Sequence, residues 1–111
     1  MSIIERITKQ YEDQKRSVIE VEEWGEGDQP LCIFYDPPTL SDSHLFNKKS
    51  DGNSHLALCQ MIVRKAMDED GNLLFSEGDA QSLYTFADER VVSRIGLQMK
   101  QHHNVADQVK N

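Results

Sequence analysis

The sequence predicts a small α+β domain, mainly helical, with a two-stranded antiparallel β unit near its N-terminus. Three observations predict it. The chain has 111 residues, room for one core rather than two. Its apolar period switches from helical to alternating and back again. The alternating stretch is confined to the first third, and the helical patterns fill the rest.

Ile3, Ile4, Ile7 and Tyr11 share one helical stripe over residues 2–14. Ser2 is placed to cap that helix, and Glu5 completes a capping box. A helix this short has to dock on something to persist. From residue 17 to 24 the period becomes two: Val18, Glu20, Glu22 and Trp24 alternate with Ile19, Val21 and Glu23. Gly25 to Pro30 is turn chemistry, read as a loop of about six residues, longer than a tight turn. Residues 31–35 form the second strand, and Asp36-Pro37-Pro38 closes it. Ser41-Asp42-Ser43-His44 is able to start a helix, and 47–54 reads as an exposed polar loop.

Residues 55–67 give the clearest helix, with Leu58, Met61, Ile62 and Lys65 at three-four spacing and Ala57 and Ala66 as small contacts. Asp68 to Asn72 ends it in a sharp turn, and Leu73-Leu74-Phe75 is extended. Ser76 to Asp79 opens the next helix, capped by Asp79 or Ser76, with Leu83, Phe86 and Ala87 facing inward. Residues 88–101 carry a last helix with Val91, Val92, Ile95 and Met99 on one face. The folded domain is therefore expected over 1–100, with three or four helices and 101–111 as a flexible polar tail. Its expected core includes Trp24, Leu58, Ile62, Phe75, Leu83, Phe86, Val92 and Ile95.

Twelve Lys and Arg against 19 Asp and Glu leave a net charge of −7 and a pI near 4.9. No basic patch is present, so nucleic acid is a poor partner. An anionic membrane surface is a poor one for the same reason. No apolar run approaches a membrane span and no secretory signal is evident. Cys32 and Cys59 lie among apolar residues without a CxxC frame, as buried small hydrophobes in a reducing cytoplasm do.

Three constellations invite chemistry. Asp68, Asp70, Gly71, Leu73 and Glu77 match positions three, five, six, eight and twelve of an EF-hand calcium loop. Position one is Ala66, which supplies no ligand, and an ordinary turn has the same look. His44, His55, His102 and His103 form no metal-spaced pair, and no nucleophile or phosphate-loop motif occurs. No catalytic, cofactor-binding or metal residue is assigned, no cofactor is expected, and the chain is not expected to be an enzyme. Trp24 at the strand end is either a core anchor or an exposed contact for a partner.

The order of these features resembles the small tail assembly chaperones of tailed bacteriophages and prophages. Ser17-Val18-Ile19-Glu20-Val21-Glu22-Glu23-Trp24-Gly25 is similar to the family's "hydrophobic-E-V-P-E-W-G" run, with Glu22 where Pro is frequent. The helix over 57–67, the Asp68-Glu69-Asp70-Gly71-Asn72-Leu73-Leu74-Phe75 turn, the Ser76 to Asp79 opening with Leu83, and the Val91-Val92-Ile95 helix follow in the family's order. Pro37-Pro38 is not a family feature. The resemblance spans about residues 1–100. It implies a non-enzymatic protein that coats the tape measure protein in the host bacterial cytoplasm and is absent from the mature virion. It also implies weak self-association, and contacts with tail tube subunits through a longer, frameshifted form. Val109-Lys110-Asn111 is encodable by GUA-AAA-AAC, which contains the slippery run A-AAA-AAC, and the polar 101–111 fits a linker at such a junction. A calcium-responsive module and a general acidic bacterial adaptor are the alternatives from other classes.

Overall fold

Alternation of aliphatic and acidic residues gives the first regular pairing. The computed structural model describes residues 2–101. In it β1 (Ser17–Glu26) and β2 (Gln29–Tyr35) form an antiparallel hairpin. Ile19 pairs with Ile33 and Val21 with Leu31. This puts Ile19, Val21, Ile33 and Tyr35 on one buried face, while Val18, Glu20 and Glu22 point outward. The α+β fold is as the sequence predicts.

The hairpin connection departs from expectation. The turn is two residues, Gly27-Asp28, and Glu26 pairs with Gln29. Gly27 takes the left-handed conformation the turn requires (φ +58°). The irregularity lies instead inside β1, where residues 22–25 oppose Pro30 alone. Pro30 has no N–H to extend the ladder, so the excess chain bulges there. The Gly25 backbone then lies so close to β2 that a Cβ would stand 2.0 Å from the Gln29 carbonyl oxygen.

Helices α1 (Ile3–Asp13), α2 (Leu40–Lys49), α3 (Ser54–Lys65), α4 (Asp79–Phe86) and α5 (Glu89–Lys100) complete the described part, one or two more than expected. The Ser2 hydroxyl oxygen accepts from the Glu5 amide, as its sequence predicts. For α2, Thr39 and Asp42 form a reciprocal capping box, which carries the helix through Asn47 to Lys49 where an exposed loop was expected. Ser50, at its end, is buried and donates to the Phe46 carbonyl at 2.7 Å. The N-cap of α4 is Gly78, without a side-chain cap; the Asp79 carboxylate instead accepts from the Ser76 amide.

The core gathers the hairpin's apolar face, α3 and α5, with α5 packed against both β1 and α3. Cys59, Met61, Ile62 and Val63 of α3 are buried with Val91, Val92, Ile95 and Met99 of α5. Gly96 lets α5 approach Leu58 closely. After α3 the chain covers the free edge of β2: Met67 and Phe34 exchange N–H···O bonds of 2.8 Å each. Glu23 and Arg94 tie β1 to α5 through two bonds of 2.8 and 2.9 Å. Lys65 and Asp42 tie α3 to α2 at 3.1 Å. Among the described residues no helix is long and apolar enough to cross a membrane.

The expected core is correct at Ile62, Val92 and Ile95. Trp24, Leu58, Phe75 and Leu83 pack against it but remain only partly buried. Phe86 does not belong to it, being 85% exposed. Adjacent helix residues differ by about 100° in direction. The inward face of α4 is centred on Ala80, Leu83 and Ala87, which turns Phe86 out to one side. The expected tail lies almost wholly outside the described residues.

Candidate protein-interaction surfaces

The bulge in β1 sets the first surface. It swings Trp24 off the ladder, where its ring meets the edge of Phe75 at a centroid distance of 6.5 Å and an interplanar angle of 80°. Trp24, Phe75, Leu83, Phe86 and Ala87, with Asp79 and Ser82, line an open groove of about 410 Å³. Trp24 thus both packs on the core and forms a groove wall. Sequence periodicity assigned Phe86 inward. The signal for the groove was the collection of aromatic side chains at the ends of elements, where a face leaves the core.

The groove has an acidic border. Glu22 and Glu23 flank it through β1, Asp79 lies in its lining, and Asp88 follows Ala87 directly. Asp88 stands near enough to Glu23 to oppose its ionisation, but the Arg94 guanidinium dominates and holds the Glu23 carboxyl at about 2. Arg90, bonded to Asp88 through its side chain and amide, likewise holds Asp88 at about 2. Two arginines therefore answer four carboxylates, and the border keeps an excess of negative charge.

The second surface is α1. Its stripe exists, but no residue of α1 is buried. Ile3, Ile4 and Ile7 are 68%, 67% and 53% exposed. The expected docking happens at one point: Tyr11, half-buried, donates its hydroxyl to the Pro37 carbonyl at 2.6 Å. That bond gives the two prolines after β2 a role as a fixed support.

A smaller hollow of about 290 Å³ lies on the other side of Leu83 and Ala87, with Leu58, Cys59, Tyr84 and Val92 in its wall. Cys59 is a free thiol that burial pushes above its ordinary pKa, so it is a poor nucleophile. Cys32, also free, is half-buried. His44 and His55 are exposed, and His102 and His103 fall outside the described residues.

The acidic turn uses its carboxylates internally. Asp68 Oδ1 accepts from the Asp70 and Asn72 amides at 2.9 Å each, and these bonds, that of Asn72 foremost, hold its carboxyl low. Glu77 pairs with Arg64 at 2.5 Å. Ala66 is fully buried. Among the described residues no three His, Cys, Asp or Glu side chains come together as a metal site.

No family model, curated protein or solved structure gives a significant match to this chain. The functional reading therefore rests on these surfaces and on the ordered motifs in the sequence. Both surfaces are apolar and open: one is a groove, the other a ridge.

Proposed function

We propose that the chain is a short-form tail assembly chaperone of a tailed phage or prophage, a non-enzymatic protein that binds and solubilises the tape measure protein. One observation carries the reading. Among the described residues, the aromatic groove and the α1 stripe both leave clustered apolar side chains open. On a chain of net charge −7, such surfaces suit reversible contact with apolar helices, because the charge keeps uncomplexed copies apart in solution. A tape measure protein presents long helical apolar surface until the tail tube closes around it. Covering it calls for many copies, each bound modestly, so that the coat comes off when the tube grows.

The motif order supports the same reading. The Trp-Gly pair of the resemblance corresponds here to Trp24 on the groove wall and to Gly25, whose missing side chain permits the bulge. In this reading the protein works in the host bacterial cytoplasm, stays out of the mature virion, and meets tail tube subunits through a longer frameshifted product. Neither nucleic acid nor membrane is a partner.

Co-expression tests the proposal. The gene is expected between a tail tube gene and a very long tape measure gene. The full chain, expressed with that tape measure, is expected to move it from the insoluble to the soluble fraction and to copurify with it. Ile7→Asp and Phe86→Asp, both at exposed positions, are expected to reduce the rescue while the chaperone itself stays folded. A tape measure that stays insoluble with abundant folded chaperone, or a gene lacking such neighbours, refutes the proposal.

A further inference from the structure

We infer that Asp51, in the turn between α2 and α3, is a site of spontaneous backbone isomerisation: its carboxyl and the Gly52 amide close an imide that reopens as isoaspartate. The inference concerns the chemistry of this turn and does not depend on the chaperone reading.

The sequence holds two Asp-Gly pairs, Asp51-Gly52 and Asp70-Gly71. Glycine leaves its own amide nitrogen unhindered, so both have the composition for ring closure. The fold separates them. Asp51 is exposed and carries φ +47°, and it is the one non-glycine residue in the left-handed region among the described residues. Gly52 follows at φ +83°, and a Cβ on it would meet open space. The Asn53 amide donates back to the Ser50 carbonyl at 2.9 Å. Positive φ at both central residues, closed by this bond, makes a type I′ turn. The Gly52 amide itself makes no hydrogen bond among the described residues. An imide ring sets the next nitrogen beside Cγ and so holds ψ at about −120°, as at the first central position of a type II′ turn, whose φ is also positive. Asp51 therefore reaches the ring geometry by rotating one peptide plane, with its φ and the ends of the turn in place. Gly52 accepts the negative φ of the flipped turn as readily as the positive one. Asp70 is exposed too, but its pair is held. Asp70 has no positive φ. The Gly71 amide donates to the Asp68 carbonyl at 3.1 Å, a bond the same rotation would break. The Asp68 carboxylate fixes the Asp70 and Asn72 amides on either side at 2.9 Å each.

The step balances without a co-reactant. The Gly52 nitrogen bonds to Asp51 Cγ, and the carboxyl hydroxyl leaves with the amide proton as water. Water then adds back at either imide carbonyl. Opening at Cγ restores aspartate. Opening at the backbone carbonyl carbon leaves the chain running through the side chain, one carbon longer, with the composition unchanged. Both ends of the turn are pinned against that extra carbon. The buried Ser50 hydroxyl donates to the Phe46 carbonyl at 2.7 Å. The Asn53 side chain caps α3 by accepting from the His55 and Leu56 amides at 3.1 Å each, and it donates to the Tyr84 hydroxyl of α4 at 3.1 Å. The longer turn displaces this cap, so isomerisation loosens the junction of α2, α3 and α4.

Ageing the full chain at physiological temperature, in near-neutral buffer made with heavy-oxygen water, tests the site. Trypsin in ordinary water then separates the two pairs: Lys49 and Arg64 bound the peptide with Asp51, and Lys65 and Arg90 bound the one with Asp70. Each passage through the imide leaves one heavy oxygen at the residue, and isoaspartate elutes apart from aspartate at equal mass. A methyltransferase specific for isoaspartate is expected to label the Asp51 peptide. In the folded protein Asp51 is expected to gain heavy oxygen and isoaspartate about tenfold faster than Asp70, the factor that one hydrogen bond supplies. In urea, where both turns are lost, the two rates are expected to converge. The isomerised fraction, separated by ion exchange, is expected to melt below the fresh chain. Equal rates at the two sites in the folded protein, a faster Asp70, or a difference that persists unchanged in urea overturns the inference. An isomerised fraction that melts with the fresh chain overturns the loosening of the helix junction.

Discussion

Gly96→Ala in the middle of α5 sets two effects of known sign against each other. In an exposed helix the change stabilises by about 1 kcal/mol, because Ala restricts the unfolded chain and suits the helix better. Gly96 is not exposed. A Cβ placed there would stand 2.2 Å from Leu58 Cδ1 and 2.6 Å from its Cγ. The Cγ is fixed close to the α3 backbone, so the clash is not relieved by rotating the end of the side chain alone. Overpacking of this kind costs about 1–3 kcal/mol. The sum is a net destabilisation of about 0–2 kcal/mol, with α3 and α5 pushed apart. In a Leu58→Ala background the obstruction is gone, and Gly96→Ala then recovers its gain of about 1 kcal/mol. The coupling in the cycle of the four proteins is therefore about 1–3 kcal/mol. Urea unfolding followed by Trp24 fluorescence measures it. A Gly96→Ala protein more stable than wild type would refute the reasoning, since it would mean that Leu58 is free to move aside at no cost.

Other substitutions test other parts of the structure. Gly25→Ala is expected to cost more than Gly27→Ala in the same assay: the first drives a Cβ into the Gln29 carbonyl, the second meets open space and suffers only its positive φ, about 1–2 kcal/mol. Ile62→Ala is expected to cost about 2–5 kcal/mol and Phe86→Ala within about 0.5 kcal/mol, and equal losses would contradict the assigned burial. Arg94 lowers the Glu23 pKa in the fold from 4.5 to about 2, so the pair stabilises above pH 4.5 and loses its effect as pH falls through about 2. The melting-temperature gap between wild type and Arg94→Ala is therefore expected at neutral pH and absent near pH 2; a gap that ignores pH would place the role of Arg94 in packing.

The hairpin and the two long helices of the core were legible because their signals are local. Alternation at Ile19 and Val21 needs one apolar side to bury, and the Leu58 to Lys65 and Val91 to Met99 spacings suit a helix against it. The two-residue turn was not legible. Gly25 to Pro30 reads as one polar stretch, and only the bond pattern across the hairpin shows that Pro30 displaces the irregularity into β1. The extent of α2 was obscured by Asn47, Lys48 and Lys49, whose polarity suits a loop as well as a solvated helix face. The capping box at Thr39 and Asp42 decided between them, and its S/T-x-x-D pattern stood in the sequence.

The departures in burial share one cause. Periodicity states which residues point the same way; it does not state what stands opposite. Ile3, Ile4 and Ile7 satisfy the helical spacing as fully as Val91, Val92 and Ile95 do, yet the first set faces outward and the second is buried. The difference is supplied by neighbours distant in sequence: α3 lies against α5, whereas α1 is joined to the rest at Tyr11. The same holds for Phe86 against Leu83 within one helix. An apolar stripe written as strongly as a core stripe, on an element that the fold leaves uncovered, is exposed at a cost in hydration that partner binding would offset. Phe86 is the residue of the expected core that the fold leaves exposed, because no element stands opposite it.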